Sequence, residues 1–414
     1  MNKLSQLFCS LAVTSILGFF IFRSPNQFRV HLAPDNSLDQ ESITFQQQNG
    51  YGTAFGHKPH VRASNCNLFE GHWVPNLKGS LYTNWSCPTI PESKNCFNNG
   101  REDVDFVNWR WKPEECDLPR FNPRAFLKIV RGKTMSFVGD SVSRNHADSL
   151  LCLLSQEETP TLLYKDQEDR FQTWYFPLHT FTLKILWSKF LVMAKEKVIN
   201  GSNSGTFDLH LDKVDEQWAN ELPNTNYLVV SNAHWFFRKL YLHQRNSIVG
   251  CVFCDELHVP KVGVGSALRQ SFRVALHHVV RCIECEGMVT LVRTFSPAHF
   301  ENGTWDTGGR CPRISPLGEG EVELGGFEME LRRNQVEEVE RANKEAMGRG
   351  KRFKALDVTR MMLMRADGHP GSHWGNKWMK GYDDCVHWCL PGPIDSWNDL
   401  LVAVLEEEVD LSLD

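Results

Sequence analysis

The 414-residue sequence predicts an α/β fold in which a mainly parallel sheet is flanked by helices on both faces. From Phe126 onward, short apolar runs of strand length alternate with segments of helical periodicity. Each run ends in polar residues, and sites in such sheets lie at the carboxyl ends of the strands. The runs are residues 134–138, 227–230, 288–292 and 353–358.

The chain begins with an apolar stretch, residues 7–22, which carries no charge and lies between Lys3 and Arg23. Its length is near the lower limit for a membrane span and above most signal-peptide cores. No small-residue cleavage site follows at once. We predict a cytosolic tail over residues 1–6 and an uncleaved signal-anchor helix over 7–23. The alternative is a cleaved signal peptide, which would give a secreted protein.

Three further segments follow the apolar stretch. Residues 24–62 are rich in Asn, Gln, Ser, Gly and Pro and predict a flexible lumenal stem. Residues 63–123 are dense in Cys, Trp and Pro and predict a subdomain stapled by disulfides, whereas 124–414 form the predicted catalytic domain. Asp103 and Asp105 share the spacing of a glycosyltransferase metal site. No sugar-nucleotide fold surrounds them, so we interpret them as surface acids.

Cysteine usage predicts an oxidising compartment. One of the 13 cysteines, Cys9, lies in the apolar stretch, and an even 12 follow it. The pairs 251–254 and 282–285 share a spacing with zinc sites, but the 27 residues between them favour disulfides, with structural zinc as the alternative. Sequons begin at Asn84, Asn200 and Asn302. The candidate disulfide cysteines are Cys66, Cys87, Cys96, Cys116, Cys152, Cys251, Cys254, Cys282, Cys285, Cys311, Cys385 and Cys389.

Residues 134–154 predict a strand, a tight turn and a helix, with Gly139, Asp140 and Ser141 at the turn. Such a turn lifts Ser141 beside the first amides of the helix, which point at an oxyanion. The serine is therefore a candidate nucleophile. The alternative is that Asp140 or Ser141 only caps the helix.

A base for this serine is predicted near the C-terminus, where Asp384 and His387 lie three residues apart. The carboxylate can fix the imidazole tautomer while the other ring nitrogen faces the serine. Cys385 and Cys389 flank the histidine and could pin the loop covalently. An unrelated surface pair is the alternative. His369 is a rival base, ranked second because the turn containing Asp367 directs the two side chains apart.

These stretches resemble the trichome-birefringence-like family of plant polysaccharide O-acetyltransferases, which is similar to the Ser-Gly-Asn-His hydrolases. The resemblance implies a three-layer fold like that of those hydrolases and a catalytic triad of Ser141, Asp384 and His387. It rests on segments 66–73 (CNLFEGHW), 95–101 (NCFNNGR), 108–113 (NWRWKP), 116–121 (CDLPRF), 137–145 (FVGDSVSRN) and 384–389 (DCVHWC).

Four further residues are candidates for contact with an oxyanion or substrate: Gly139, Asp140, Asn232 and Arg144. Asn232 follows a predicted strand and matches the hydrolase asparagine that donates to the oxyanion, unless it only ends the strand. Arg144 could face an acetyl oxyanion or a sugar hydroxyl, or hold the carboxylate of Asp148 or Asp140. His146 stands where the family has Gln.

The resemblance implies acetyl transfer to a cell-wall polysaccharide by double displacement through an acetyl-serine, in a single-pass type II Golgi membrane protein. Segments 169–177 and 233–238 favour xyloglucan, with xylan, mannan and pectin as alternatives. No bound cofactor is predicted, only an acetyl donor such as acetyl-CoA or an acetylated carrier. A polysaccharide acetylesterase and a non-catalytic glycan-binding protein are the rivals. A net charge of −5 without basic runs makes nucleic acid an improbable partner.

Overall fold

A computed structural model describes residues 66–322, 324–375 and 381–410. The predicted tail, anchor and stem, residues 1–62, lie outside this part of the chain. Among the described residues, none of the helices combines the length and the apolar character needed to cross a membrane.

Thirteen strands and seven helices make up the described regular structure, apart from short 3₁₀ turns. The strands are β1 (Gly71–Pro75), β2 (Trp109–Pro113), β3 (Thr134–Gly139), β4 (Thr161–Lys165), β5 (Phe171–Phe176), β6 (Phe181–Trp187), β7 (Val192–Ile199), β8 (Ser202–Val214), β9 (Tyr227–Ser231), β10 (Leu240–Gln244), β11 (Ser247–Val252), β12 (Val289–Arg293) and β13 (Arg352–Leu356). The helices are α1 (Pro123–Ile129), α2 (Ser141–Leu154), α3 (Glu216–Ala219), α4 (Val264–Arg281), α5 (Phe327–Glu345), α6 (Thr359–Leu363) and α7 (Ser396–Asp410).

The central sheet has seven strands in the order β13-β12-β9-β3-β6-β5-β4. Its first five strands are parallel, and β5 and β4 add an antiparallel edge. The four predicted apolar runs form β3, β9, β12 and β13, which confirms the α/β class. The fifth parallel strand, β6, was not predicted, although its alternating pattern around Lys184 is typical of a half-buried strand.

Side chains on the two faces of the sheet enter two separate cores, as a three-layer fold requires. On β3, Phe137 packs in the core shared with α1, α2 and α7, whereas Val138 packs in the core shared with α4 and α5. The amphipathic segments 327–349 and 395–407 of the sequence correspond to α5 and α7. Leu331 and Val339 of α5 are buried, as its narrow apolar stripe predicts.

Two smaller sheets lie outside this central layer. The hairpin of β1 and β2 belongs to the Cys-rich subdomain. A four-stranded sheet in the order β11-β10-β8-β7 was not predicted from the sequence. Two of its pairings, β7 with β8 and β10 with β11, join consecutive strands, whereas β10 pairs in parallel with β8 across a longer connection that local patterning does not reveal.

Six disulfides join the twelve cysteines that follow the apolar stretch, as predicted. Each Cys-x-x-Cys pair closes on itself, which agrees with disulfides rather than zinc ligands. Three bridges tie the Cys-rich subdomain, one of them to α2 and one to the C-terminal region. The pairs are Cys66–Cys116, Cys87–Cys152, Cys96–Cys389, Cys251–Cys254, Cys282–Cys285 and Cys311–Cys385.

Candidate active site

The turn after β3, residues 139–141, is here called the nucleophile turn. Gly139 has a φ of +152°, and a Cβ at this position would lie 1.7 Å from the carbonyl oxygen of Ser231 at the end of β9. Only glycine allows the two strand ends to approach so closely. Gly139 is buried and supports the turn, and its contact with an oxyanion or substrate stays a prediction.

Asp140 caps α2 and ties the nucleophile turn to the neighbouring strand. One carboxylate oxygen accepts from the amides of Val142 (3.0 Å) and Ser143 (3.4 Å). The other accepts from the amides of Ala233 (3.1 Å) and His234 (3.3 Å). The cap is therefore Asp140, and Ser141 is the first helical residue. Because the Val142 and Ser143 amides are engaged, they do not face an oxyanion as the sequence suggested.

The predicted hydrogen bond between Asp384 and His387 is formed. His387 Nδ1 donates to Asp384 Oδ2 at 2.8 Å, and Asp384 Oδ1 accepts from the amides of Val386 (3.1 Å) and His387 (3.0 Å). Burial acts to raise the pKa of Asp384, but the adjacent His387 and these hydrogen bonds hold that pKa well below its ordinary value. The ionised carboxylate fixes the Nδ1–H tautomer, so Nε2 of His387 carries the basic lone pair. That nitrogen has no hydrogen-bond partner among the described residues.

Residues 384–389, here called the base loop, contain neither helix nor strand and are held by distant parts of the chain. Cys385 is bridged to Cys311 and Cys389 to Cys96, so both predicted pins exist. Trp388 lies between these two cysteines, and its indole N–H donates to Ser296 Oγ at 2.8 Å.

Asn145 connects the base loop to α2, and the sequence did not point to it as a site residue. Its Oδ1 accepts from the Trp388 amide at 2.7 Å, and its Nδ2 donates to the Trp388 carbonyl at 3.2 Å. Asn145 lies one turn after Ser141 on α2, and its side chain is fully buried. This bidentate contact sets the position of the base loop relative to the nucleophile turn.

Ser141 and His387 line the same cavity of about 620 Å³. Two residues that are 246 positions apart in the sequence therefore border one cavity. The cavity walls are largely aromatic, and Arg238 stacks between Trp235 (4.3 Å) and Trp305 (5.0 Å). Other aromatic residues of the wall are Phe237, Phe253, Phe295, Phe300, Phe327, Trp374 and Tyr382.

His234 also lines the cavity but is held as a neutral wall residue. Its Nε2 donates to the Ser296 carbonyl at 2.9 Å. Burial lowers its pKa to about 4, and His387 and Arg293 act in the same direction, although Asp140 opposes them. His234 therefore offers no charge to a bound ligand at neutral pH.

Two predicted substrate contacts do not reach the cavity wall. The Asn232 amide donates to the Ser188 carbonyl at 2.8 Å, and its role as an oxyanion donor stays a prediction. Arg144 donates to the Asp169 carbonyl at 2.6 Å and pairs with Asp148 at 3.4 Å, which is the ion-pair alternative rather than a substrate contact.

His369 is placed behind the base loop. Its Nδ1 lies 2.7 Å from the His387 carbonyl, whereas Asp367 pairs with Arg365. His369 is therefore not the histidine of a second Asp-His pair. His146 is buried between Phe137 and Trp397, so it does not contact a substrate in the cavity.

The described residues contain two groups dense enough in ligand atoms to hold a metal ion. Both depend on cysteines that are joined in disulfides, Cys251–Cys254 in one group and Cys311–Cys385 in the other. Neither group offers thiolates. Of the sequon asparagines, Asn200 and Asn302 are exposed and Asn84 is half-buried, and their glycosylation stays a prediction.

Ser141 lies at the carboxyl end of a central parallel strand, and the Asp384–His387 pair lines the same cavity. This arrangement is that of the α/β acyl-esterase-like enzymes. The chain belongs to the PC-Esterase family, the GDSL/SGNH-like acyl-esterase family found in Pmr5 and Cas1p, which matches residues 118–404. The PMR5 N-terminal domain matches residues 64–117.

The chain is similar to curated plant proteins over nearly its whole length. Xyloglucan O-acetyltransferase 4 of Populus trichocarpa is 56% identical, covering 96% of this chain and 91% of the relative. Xyloglucan O-acetyltransferase 3 of the same species is 51% identical, covering 97% of both chains. Xyloglucan O-acetyltransferase 2 of Arabidopsis thaliana is 50% identical, covering 94% of this chain and 89% of the relative.

Proposed function

We propose that this enzyme transfers an acetyl group to a hydroxyl of a plant cell-wall polysaccharide, with xyloglucan side chains as the acceptor. The observation that carries the proposal is that Ser141 and the Asp384-supported His387 line one aromatic cavity. The xyloglucan assignment rests on the names of the relatives at 50–56% identity.

In the first half-reaction, His387 Nε2 takes the proton of Ser141 Oγ as this oxygen attacks the acetyl carbonyl of the donor. The leaving group departs with that proton, which leaves acetyl-Ser141 and neutral His387. In the second half-reaction, His387 removes the proton of a sugar hydroxyl, which attacks the acetyl-serine carbonyl. Ser141 Oγ then recovers the proton. Asp384 stays ionised throughout and stabilises the transient imidazolium.

The oxyanion of each tetrahedral intermediate requires at least one positioned N–H donor. The amide of Ser141 is the candidate, since it is the first of α2 and the next two amides serve Asp140. The helix dipole at this end also favours negative charge.

The cavity suits an uncharged sugar acceptor. Indole faces stack on the apolar faces of sugar rings, and Trp235, Trp305 and Trp374 are available in the wall. Arg238 contacts the ring faces of two of these indoles and offers N–H donors to sugar hydroxyls. An aromatic wall with a bound glycan would also exclude water from acetyl-Ser141.

Water in place of the sugar would make the enzyme an acetylesterase, the rival function. The test is to incubate the enzyme with ¹³C-acetyl-CoA, or with an ¹³C-acetylated sugar ester as carrier, and xyloglucan oligosaccharide. Transfer adds one labelled acetyl mass to the oligosaccharide, whereas hydrolysis releases labelled acetate only. Ser141→Ala is the matched control and should give neither product. Labelled acetate without acetylated sugar would reject the transferase proposal.

Xylan, mannan and pectin oligosaccharides, offered at equal concentration, test the acceptor. We expect xyloglucan to be acetylated with the highest kcat/KM. A higher kcat/KM for another glycan would retain acetyl transfer and reassign the substrate.

We further propose that the enzyme is a type II Golgi membrane protein with residues 7–23 as its single-pass anchor. The uncharged stretch 7–22 and the six disulfides support this placement. Protease digestion of sealed Golgi vesicles should spare residues 66–410 unless detergent is added. Digestion without detergent would reject the lumenal orientation.

A further inference from the structure

Two histidines outside the proposed triad form a chain of contacts that ends on the base. His369 Nδ1 lies 2.7 Å from the His387 carbonyl, and His369 Nε2 lies 2.7 Å from His299 Nδ1. His299 Nε2 lies 3.1 Å from the Leu363 carbonyl. His369 also stacks on Trp388 of the base loop, with ring centroids 4.1 Å apart.

The surroundings of this pair are crowded and charged. The His369 carbonyl accepts from Arg101 Nη1 at 2.9 Å, and the Arg101 guanidinium also pairs with Asp103. The side chain of His369 is buried, and neither histidine lines the cavity that contains Ser141. The pair therefore does not contact substrate and acts only through His387.

Proton counting fixes the state of the pair. A carbonyl oxygen only accepts, so the two end contacts and the central nitrogen–nitrogen contact require three protons in all. Two neutral imidazoles carry two. Burial lowers the pKa of His299 to about 4 and that of His369 well below its ordinary value, so the pair is neutral near pH 7. One of the three contacts then lacks a proton.

The contact between His299 Nε2 and the Leu363 carbonyl, at 3.1 Å, is the longest of the three. We propose that His299 Nδ1–H donates to His369 Nε2, and that His369 Nδ1–H donates to the His387 carbonyl, so that His369 is a positioning residue for the base. This inference rests on the proposed role of His387. The Nδ1–H donor holds the main chain of His387 from behind, while Asp384 holds its ring from the side.

Two substitutions of His369 separate this role from packing. In His369→Asn the side-chain amide reaches the place of Nδ1 and keeps an N–H for the His387 carbonyl. In His369→Gln the amide reaches the place of Nε2 instead and loses that hydrogen bond. We expect His369→Gln to lower kcat by about 10- to 100-fold with KM changed less than about twofold, because the base is misplaced and the substrate contacts remain. His369→Asn should retain kcat within about threefold.

His277→Asn is the control for loss of a histidine, since His277 lies on the surface of α4 and pairs with Glu345. Equal thermal unfolding midpoints for the Asn and Gln variants of His369 would exclude a difference in folding. Equal kcat values for these two variants would overturn the positioning role.

The tautomer is tested independently of activity by ¹⁵N NMR of the full chain with labelled histidine at pH 7.5. The His369 signal is identified by its absence in His369→Asn, and we expect it to show a protonated Nδ1 and an unprotonated Nε2. Protonation at Nε2 would overturn the assignment. If the wild-type chain transfers no acetyl group, the proposed function fails, whereas the NMR result still decides the state of the pair.

Discussion

The nucleophile turn and the base loop are positioned by different means. The nucleophile turn connects a central strand to a helix, and most of its contacts lie within that strand, that helix and the neighbouring β9. The base loop contains no regular element, and its disulfides span 74 and 293 residues of sequence. Local geometry therefore places the serine, whereas long-range crosslinks place the histidine.

This difference predicts different vulnerabilities. The nucleophile turn should be disrupted by any larger residue at Gly139, because a side chain there would overlap the Ser231 carbonyl and the backbone has no other conformation to adopt. The base loop should fail through loss of its crosslinks and of its bond to Asn145, because these connect it to distant parts of the chain.

The first prediction tests whether the two regions serve one chemical step. Ser141→Ala and His387→Ala should each lower acetyl transfer by roughly 10³-fold or more, and the double variant should be no worse than either single variant. Residues that act as one unit are non-additive in this way. Transfer to xyloglucan oligosaccharide is measured by mass spectrometry. If the losses of the two single variants multiply in the double variant, the serine and the histidine do not act in one chemical step.

The second prediction addresses the nucleophile turn. Gly139→Ala should destabilise the protein by more than about 4 kcal/mol, since the new Cβ would meet the Ser231 carbonyl oxygen at 1.7 Å. Urea unfolding measures the change. Gly132→Ala, at a glycine whose φ is +69° but whose Cβ would meet only Thr180 Oγ1 at 3.8 Å, separates the clash from the positive φ. Equal losses for the two variants would show that the close strand approach is not the cause.

The third prediction addresses the base loop. Removing the Cys311–Cys385 bridge with two serines should lower the free energy of unfolding by about 4 kcal/mol, and removing Cys251–Cys254 by about 2 kcal/mol, because the loops they close differ in length. Only the first change should also reduce kcat. If both double variants keep full kcat, the crosslink is not what positions His387.

The fourth prediction tests the connection between the two regions. Asn145→Ala should cost about 1–3 kcal/mol of stability and lower kcat, because the buried Trp388 amide and carbonyl lose their partner. Asn398→Ala is the control, since Asn398 is also buried but donates to Ser149 instead of the base loop. A comparable loss of kcat in Asn398→Ala would argue against a specific link.

The fifth prediction concerns how stability depends on pH through His146 of α2. Burial lowers the pKa of His146 to about 3, and Arg293 acts in the same direction. The unfolded chain takes up this proton near pH 6.5, so stability falls as pH drops from about 6.5 towards about 3. His146→Met should remove about 2 kcal/mol of that loss at pH 5. Urea unfolding at pH 7 and pH 5 measures the difference, and an unchanged pH dependence would contradict the assignment.

Some features of the site were predictable because their signals are local. Gly139, Asp140 and Ser141 follow an apolar run and precede helical spacing, and the nucleophile turn has that geometry. Asp384 and His387 are three residues apart, and their hydrogen bond forms within that span. The α/β class followed from the alternation of four apolar runs with helices.

Other features depend on contacts that no local pattern encodes. The bond from Asn145 to Trp388 spans 243 residues, and the contact of His369 with His299 spans 70. Asn232 follows its strand as expected, yet its amide turns to Ser188. The parallel pairing of β10 with β8 and the connectivity of the twelve cysteines also depend on such contacts, since twelve cysteines allow many connectivities.

The sequence alone determined the local groups of the candidate site, because the turn at Gly139, Asp140 and Ser141 and the pair of Asp384 and His387 each form within a few consecutive residues. The tertiary structure decided that Ser141 and His387 share one cavity, which Trp235 and Arg238 help to wall. The physical reason is that side-chain order along the chain fixes local backbone geometry, whereas the meeting of distant segments depends on packing and crosslinks across the whole fold.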